Sequence, residues 1–181
     1  MLSPFEFRQK WDPVKNGKLI NFSFVDLEEV SLSTEVKMFL IEAGLPESAS
    51  PYLEFRTSKN LSFKNYNNSE SIDDYFCIGT TGAGDFICVK TSSGNIVYLD
   101  SGNQNREVFI NSSINQFTEC LLFFSSMIDK AIETNGEDAY LDNNIPSELL
   151  DWIMNEITRI DSQSLRGGNF WNVELEDLKN E

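Results

Sequence analysis

The chain has 181 residues, 40% of them apolar and 12% aromatic, enough for one ordinary domain with a sizeable core and too apolar for wholesale disorder. Fourteen basic residues face 29 acidic ones, and the formal charge of -15 argues against ordinary DNA or RNA binding, in which phosphate neutralisation comes first. A basic protein partner fits that charge better, although excess carboxylate also serves plain solubility.

With zero histidines, imidazole ligation of a metal is impossible, and the three cysteines, Cys77, Cys88 and Cys120, are too dispersed for a zinc cluster. Each lies in an apolar run and reads as a buried thiol in a reducing cytoplasm. No stretch reaches ~18 continuous apolar residues, and no basic region leads into a long apolar core, so neither a membrane span nor a signal peptide is expected.

Taken in chain order, Ser3-Pro4-Phe5-Glu6 opens a helix: Ser3 caps, Pro4 sits where a missing N–H costs nothing, and Glu6 completes a capping box. Phe7 and Trp11 fall near one face. Asp12-Pro13 and Asn16-Gly17 then interrupt the pattern, and residues 19–25 read as extended or irregular. Over residues 33–43, Val36, Phe39, Leu40 and Ala43 mark one side of a second helix, which Gly44-Leu45-Pro46 stops: glycine tolerates a left-handed C′, leucine closes the contact, and proline cannot continue. Tyr52-Leu53-Glu54-Phe55 and Leu61-Ser62-Phe63 suggest short strands, and residues 66–71 a polar loop.

The chain is organised around residues 75–127. Tyr75-Phe76-Cys77-Ile78, residues 85–90, residues 96–100 and Glu107-Val108-Phe109-Ile110 are four aromatic or β-branched runs separated by turn-forming segments. Connections this short hold no crossover helix, so the strands form an antiparallel meander, six-stranded when the two earlier runs are added. From Asn111 the period changes. Ile114, Phe117, Leu121, Phe124 and Ile128 recur three and four apart, with Cys120 and Ala131 beside them, and Ser113 with Gln116 has capping-box spacing. This helix needs the sheet face to cover its stripe.

Asn135-Gly136 breaks the chain, and Ile145-Pro146-Ser147 opens another helix carrying Leu149, Leu150, Ile153, Met154, Ile157 and Ile160. Residues 131–158 contain seven acids, Glu133, Glu137, Asp138, Asp142, Glu148, Asp151 and Glu156, and no base. The less regular ends are an N-terminal extension, residues 1–30, and an acidic C-terminal tail, residues 161–181, in which alternation at 171, 173 and 175 fits either a final short strand or a surface tail.

Catalytic signals are weak. Residues 79–84, Gly-Thr-Thr-Gly-Ala-Gly, lack the lysine of a phosphate loop and lead into a strand instead of a helix, so the glycines read as turn geometry. Asp73, Asp74, Asp85 and Asp100 have no spacing that forces convergence on a metal, and no histidine is present to activate a serine or cysteine. We therefore expect no enzyme and no cofactor.

Gly44-Leu45-Pro46 after a helix, Phe55, Phe76-Cys77-Ile78-Gly79 leading through Gly84-Asp85 into Phe86-Ile87-Cys88-Val89, Gly94-Asn95-Ile96-Val97-Tyr98, and Ile110-Asn111-Ser112-Ser113 with Phe117 resemble the SUKH superfamily, most closely its fourth subfamily. The resemblance covers residues 33–124. It departs from some members by lacking an Asn-Gly-Gly segment after the leucine-proline turn and by its long acidic C-terminal region. It implies a single compact α+β domain, an antiparallel sheet packed by helices, acting as a non-catalytic intracellular immunity protein that neutralises a cognate polymorphic toxin, often a nuclease or deaminase. Joined to the local acidity, it makes Glu137, Asp138, Asp142 and Asp151 the candidate contacts for a basic toxin domain. The alternative is a scaffold or regulatory protein-binding domain with a host partner.

Overall fold

The computed structural model describes residues 2–57 and 74–179. In chain order the elements are α1 (Pro4–Lys10), β1 (Leu19–Ile20), α2 (Phe24–Leu27), α3 (Thr34–Glu42), β2 (Leu45–Pro46), β3 (Ser48–Ala49), β4 (Leu53–Phe55), β5 (Tyr75–Thr81), β6 (Phe86–Lys90), β7 (Ile96–Asp100), β8 (Arg106–Asn111), α4 (Ile114–Asn135), α5 (Ser147–Ile160) and α6 (Phe170–Asp177). β3 through β8 form one antiparallel sheet in sequence order, and β1 and β2 form a separate antiparallel pair. The fold is the expected mixed α+β domain with a central antiparallel sheet packed by helices.

The six-stranded meander is present, but its first strand is Ser48–Ala49. The expected strand at 61–63 and the polar loop at 66–71 lie outside the described residues. β5 is longer than the sequence suggests, running through Gly79 to Thr81. Gly79 therefore belongs to a strand, not to the turn, and its reason is crowding: it pairs with Phe55 of β4, and a Cβ there would run into the Glu54 carbonyl.

Alternation along the strands sends Ile78, Ile87, Val89, Ile96 and Ile110 into the main core with the helices. Cys77, Cys88, Val97 and Leu99 make a second small cluster on the other face with Tyr75 and Phe86. Cys77 and Cys88 pair directly across β5 and β6, their sulfurs 2.9 Å apart.

α4 lies along the main core and buries Ile114, Phe117, Cys120, Leu121, Phe124, Met127 and Ala131. The stripe drifts at its C-terminal end, where Met127 replaces Ile128 as the inward residue and Ile128 sits at the margin. Phe117 meets Phe55 edge-on, with ring centroids 5.7 Å apart. At the start of α4, Ser113 Oγ accepts from the Gln116 amide N–H at 3.3 Å and donates to Gln116 Oε1 at 2.9 Å. The reciprocal half of the expected box is replaced by a longer reach: Gln116 Nε2 donates to the Ile160 carbonyl at the end of α5.

Both ends of the described chain enter the same core. Ser3 and Glu6 form the full capping box on α1, with Ser3 N–H on Glu6 Oε2 at 2.8 Å. Phe7 packs between Trp11 and Phe39, and Trp11 Nε1 donates to the Gly17 carbonyl, fixing the irregular stretch that follows. Past α5, residues 170–177 form neither a strand nor a surface tail but α6, burying Phe170, Trp171 and Leu175. Alternation at 171, 173 and 175 misleads because the tight turn over residues 162–169 sets Phe170, Trp171 and Leu175 on one side of a short helix, leaving Val173 exposed.

Candidate protein-binding surface

The loop from 136 to 144 joins α4 to α5 and is pinned from within. Gly136, at φ 97°, donates to the Ile132 carbonyl and turns the chain off the helix. Asn135 Nδ2 donates across the loop base to the Asn144 carbonyl at 2.7 Å, and Ala139 and Ile145 are buried beneath it. Glu137, Asp138, Leu141 and Asp142 are left facing outward; Leu141 is 68% exposed. The Asp142 amide donates to the Asp138 carbonyl at 2.9 Å, so these two acids share one turn.

The structure thus brings Glu137, Asp138 and Asp142 together. Asp151 stands on a different element, exposed on α5 next to Trp152, whose ring carries the Lys130 ammonium 3.5 Å from its centroid. Nor is the acidic run unopposed in space. Arg159, one residue beyond it, reaches Glu156 at 2.8 Å and Glu119 at 3.2 Å.

Beside the loop opens a cleft of about 420 Å³, framed by Tyr52 and Gly82 on the strand turns, Asp85 and Tyr98 of the sheet end, and Phe170 and Glu174 of α6. The Tyr52 ring lies 6.4 Å from that of Tyr140, which links cleft and acidic loop, and Tyr140 in turn packs edge-on against Phe124 in the core. Tyr98 and Phe170 meet edge-on at 6.1 Å. Tyr52 adopts φ 50°, a left-handed conformation uncommon for a bulky residue, and stands 66% exposed at the rim.

Two carboxylates border the cleft. Asp85 Oδ1 accepts from the Ser101 amide at 2.9 Å and its hydroxyl at 2.6 Å, fixing its position without neutralising it. The Glu174 carboxylate has no hydrogen-bond or ion-pair partner among the described residues. Burial, and secondarily the like charge of Asp177, push its carboxyl up to about 7. Burial also raises Tyr98 and Tyr140, reinforced by Asp100 and Asp85 in the first case and by Glu174 in the second. Arg106, which offsets part of that field at Tyr98, is itself drawn to Asp100 at 3.7 Å. Sequence reasoning missed this cleft; the one signal was the exposed aromatic Tyr52 at a turn, because Glu174 is remote from it in the chain.

Among the described residues no three of cysteine, aspartate and glutamate converge to hold a metal ion. Burial raises the Cys77 and Cys120 thiols away from the thiolate form. The glycines of residues 82–84 close the β5–β6 hairpin, with the Gly84 amide on the Thr81 carbonyl at 2.9 Å, and feed a strand rather than a helix N-terminus. No helix of the described residues is long and apolar enough to cross a membrane.

A mixed α+β domain with an acidic loop and an aromatic, carboxylate-edged cleft is the class these features define. A family model described as SUKH-4 immunity protein matches residues 14–177, and the chain belongs to that family. The match extends the resemblance of residues 33–124 through α6. No curated protein and no solved structure matches the chain significantly. Family membership gives it an immunity-type, protein-binding role, in a family whose members are typically non-catalytic.

Proposed function

We propose that the protein is a cytoplasmic, non-catalytic immunity protein that binds a cognate polymorphic toxin and occludes its working surface. The observation that carries this reading is the family match over residues 14–177. The charge of -15 supports the chemistry of the partner, because a nuclease or deaminase presents a basic channel to its nucleic acid and an acidic fold can cover it. The pinned loop bearing Glu137, Asp138 and Asp142 supplies preorganised carboxylates for such a surface, with Asp151 on α5 a further contributor.

The test is coexpression with a toxin domain encoded by a neighbouring reading frame of the native genome, scoring cell survival and complex formation. Wild type is expected to protect and to co-purify, and association is expected to slow as salt rises, since screening shortens to ~8 Å at physiological ionic strength. Reversing Glu137 and Asp138 to lysine is expected to weaken capture more than reversing the exposed pair Glu28 and Glu29. Absence of protection and binding by wild type would overturn the assignment, leaving a host-partner scaffold as the surviving role. Equal capture by both paired variants would remove the loop from the interface.

A further inference from the structure

The cleft between Tyr52 and Glu174 has features that the acidic loop lacks. Its mouth is open, none of its lining residues is a cation, and two carboxylates, Asp85 and Glu174, border it. Asp85 is held in place by Ser101 and Thr81. Glu174 is half-buried on α6, its carboxylate without a partner among the described residues and with Asp177 acting on it as a like charge. A carboxylate withdrawn from water without a partner is costly, and a cation entering the cleft relieves that cost.

The walls specify which cation. Tyr52, Tyr98 and Phe170 line it with aromatic rings, and Tyr52 is held at the rim by a left-handed backbone with two-thirds of its surface free. An ammonium is a compact, strongly hydrated point charge. A guanidinium is planar and weakly hydrated, and can lie on a ring while directing paired N–H donors at a carboxylate. The cleft is also continuous with the loop carrying Glu137, Asp138 and Asp142 through the Tyr52–Tyr140 contact, so a partner seated on that loop reaches the mouth.

We propose that the Tyr52–Glu174 cleft receives an arginine side chain projecting from the bound partner, with Glu174 as its counter-ion and Tyr52 as its stacking platform. This rests on the protein-binding reading above and names the chemistry of its anchor. It makes Glu174 and Tyr52 binding determinants absent from the acidic run. Because Glu174 holds its proton near neutrality in the free protein, arginine binding releases a proton, and affinity rises as pH increases through about 7.

The test uses the full chain and the capped tripeptide acetyl-Gly-Arg-Gly-amide, followed by NMR, with the lysine and citrulline peptides as comparisons. The expected result is saturable, millimolar perturbation at Tyr52, Tyr98 and Glu174, a lowered titration midpoint for the Glu174 carboxyl carbon, weaker response to lysine and none to citrulline. Glu174→Gln, nearly isosteric, and Tyr52→Ala, at an exposed ring, are each expected to weaken arginine binding about fivefold or more while leaving the rest of the spectrum native. Perturbations absent up to about 20 mM peptide, located elsewhere, or equal for arginine and citrulline would overturn the proposal. No toxin enters this titration, so its failure leaves the immunity reading intact, and a failed protection assay leaves the cleft result standing.

Discussion

Trp171 of α6 donates its indole N–H to Asn111 Oδ1 at 2.9 Å, both side chains fully buried and 60 residues apart. Asn111 passes the connection on: its amide nitrogen donates to Ser164 Oγ at 2.8 Å, and Ser164 donates to the Ile110 carbonyl at 2.7 Å. Asp161, also buried, accepts from the Ser112 amide at 2.6 Å. The end of β8, the start of α4, the exit from α5 and α6 thus meet in one satisfied polar knot. Trp171→Phe orphans the asparagine oxygen and leaves a cavity where the larger indole was buried, so it is expected to lose about 2 to 5 kcal/mol in urea denaturation. Asn111→Ala, which strips several partners at once, should lose more.

Phe117→Ala should cost about 3 to 5 kcal/mol, since the ring is completely buried against Phe55 and leaves a cavity. Ile128→Ala, a marginal position on the same helix, should cost about 1 kcal/mol. Equal losses in equilibrium unfolding would contradict the drift of the stripe toward Met127.

Glu174 gives the stability a pH dependence of definite sign. Its folded carboxyl titrates at about 7 against an ordinary 4.5, so between these values the folded chain retains a proton that the unfolded chain has lost. Stability therefore declines as pH rises across that window, and the loss is complete above it. Glu174→Gln should be more stable than wild type by about 1 kcal/mol near pH 8, a figure reduced for partial solvent access, and equal to it near pH 4. Paired thermal melts at the two pH values check this.

Gly79→Ala is expected to separate β4 from β5, because the added methyl meets the Glu54 backbone, which cannot swing aside as a side chain can. A loss of about 2 to 4 kcal/mol and weakened hydrogen-exchange protection at Phe55 are the expected readouts. Gly84→Ala, whose Cβ would meet nothing, suffers only its unfavourable φ of 89° and should cost about 1 kcal/mol.

Cys77, Cys88 and Cys120 should react with an aromatic disulfide reagent only on unfolding, since all three are buried and burial disfavours the thiolate of Cys77 and Cys120. Rapid titration of any thiol in the native protein would contradict the packing around β5, β6 and α4.

The sheet and α4 were legible because composition, turn chemistry and period are local: aromatic or β-branched runs broken by turns between Tyr75 and Ile110, and the switch to helical spacing at Ile114, need no tertiary knowledge. The same locality explains the misses. Gly79 looks like a turn residue until β4 is laid beside it, and α6 hides because Trp171 and Leu175 are recognised only by the core they fill. Glu137, Asp138 and Asp142 were readable as a charge run, whereas Arg159 closing on Glu156 and Glu119 is a matter of space. The Tyr52–Glu174 cleft joins residues from four separate stretches, and no spacing rule connects them.

The Asn115 side chain donates to the Leu2 carbonyl across 113 residues of sequence, while a few residues earlier on the same segment Asn111 holds Trp171. Both flanks of the described chain are thereby stitched to the junction of β8 and α4. Local opening of either flank must therefore break a buried hydrogen bond at that junction, which ties it to global opening of the fold. Such far-separated stitches also impose slow closure, since most of the chain has to be gathered before either can form. Residence in the folded state is then set by the unfolding rate rather than by equilibrium alone, so these two hydrogen bonds act on the lifetime of the fold as well as on its stability.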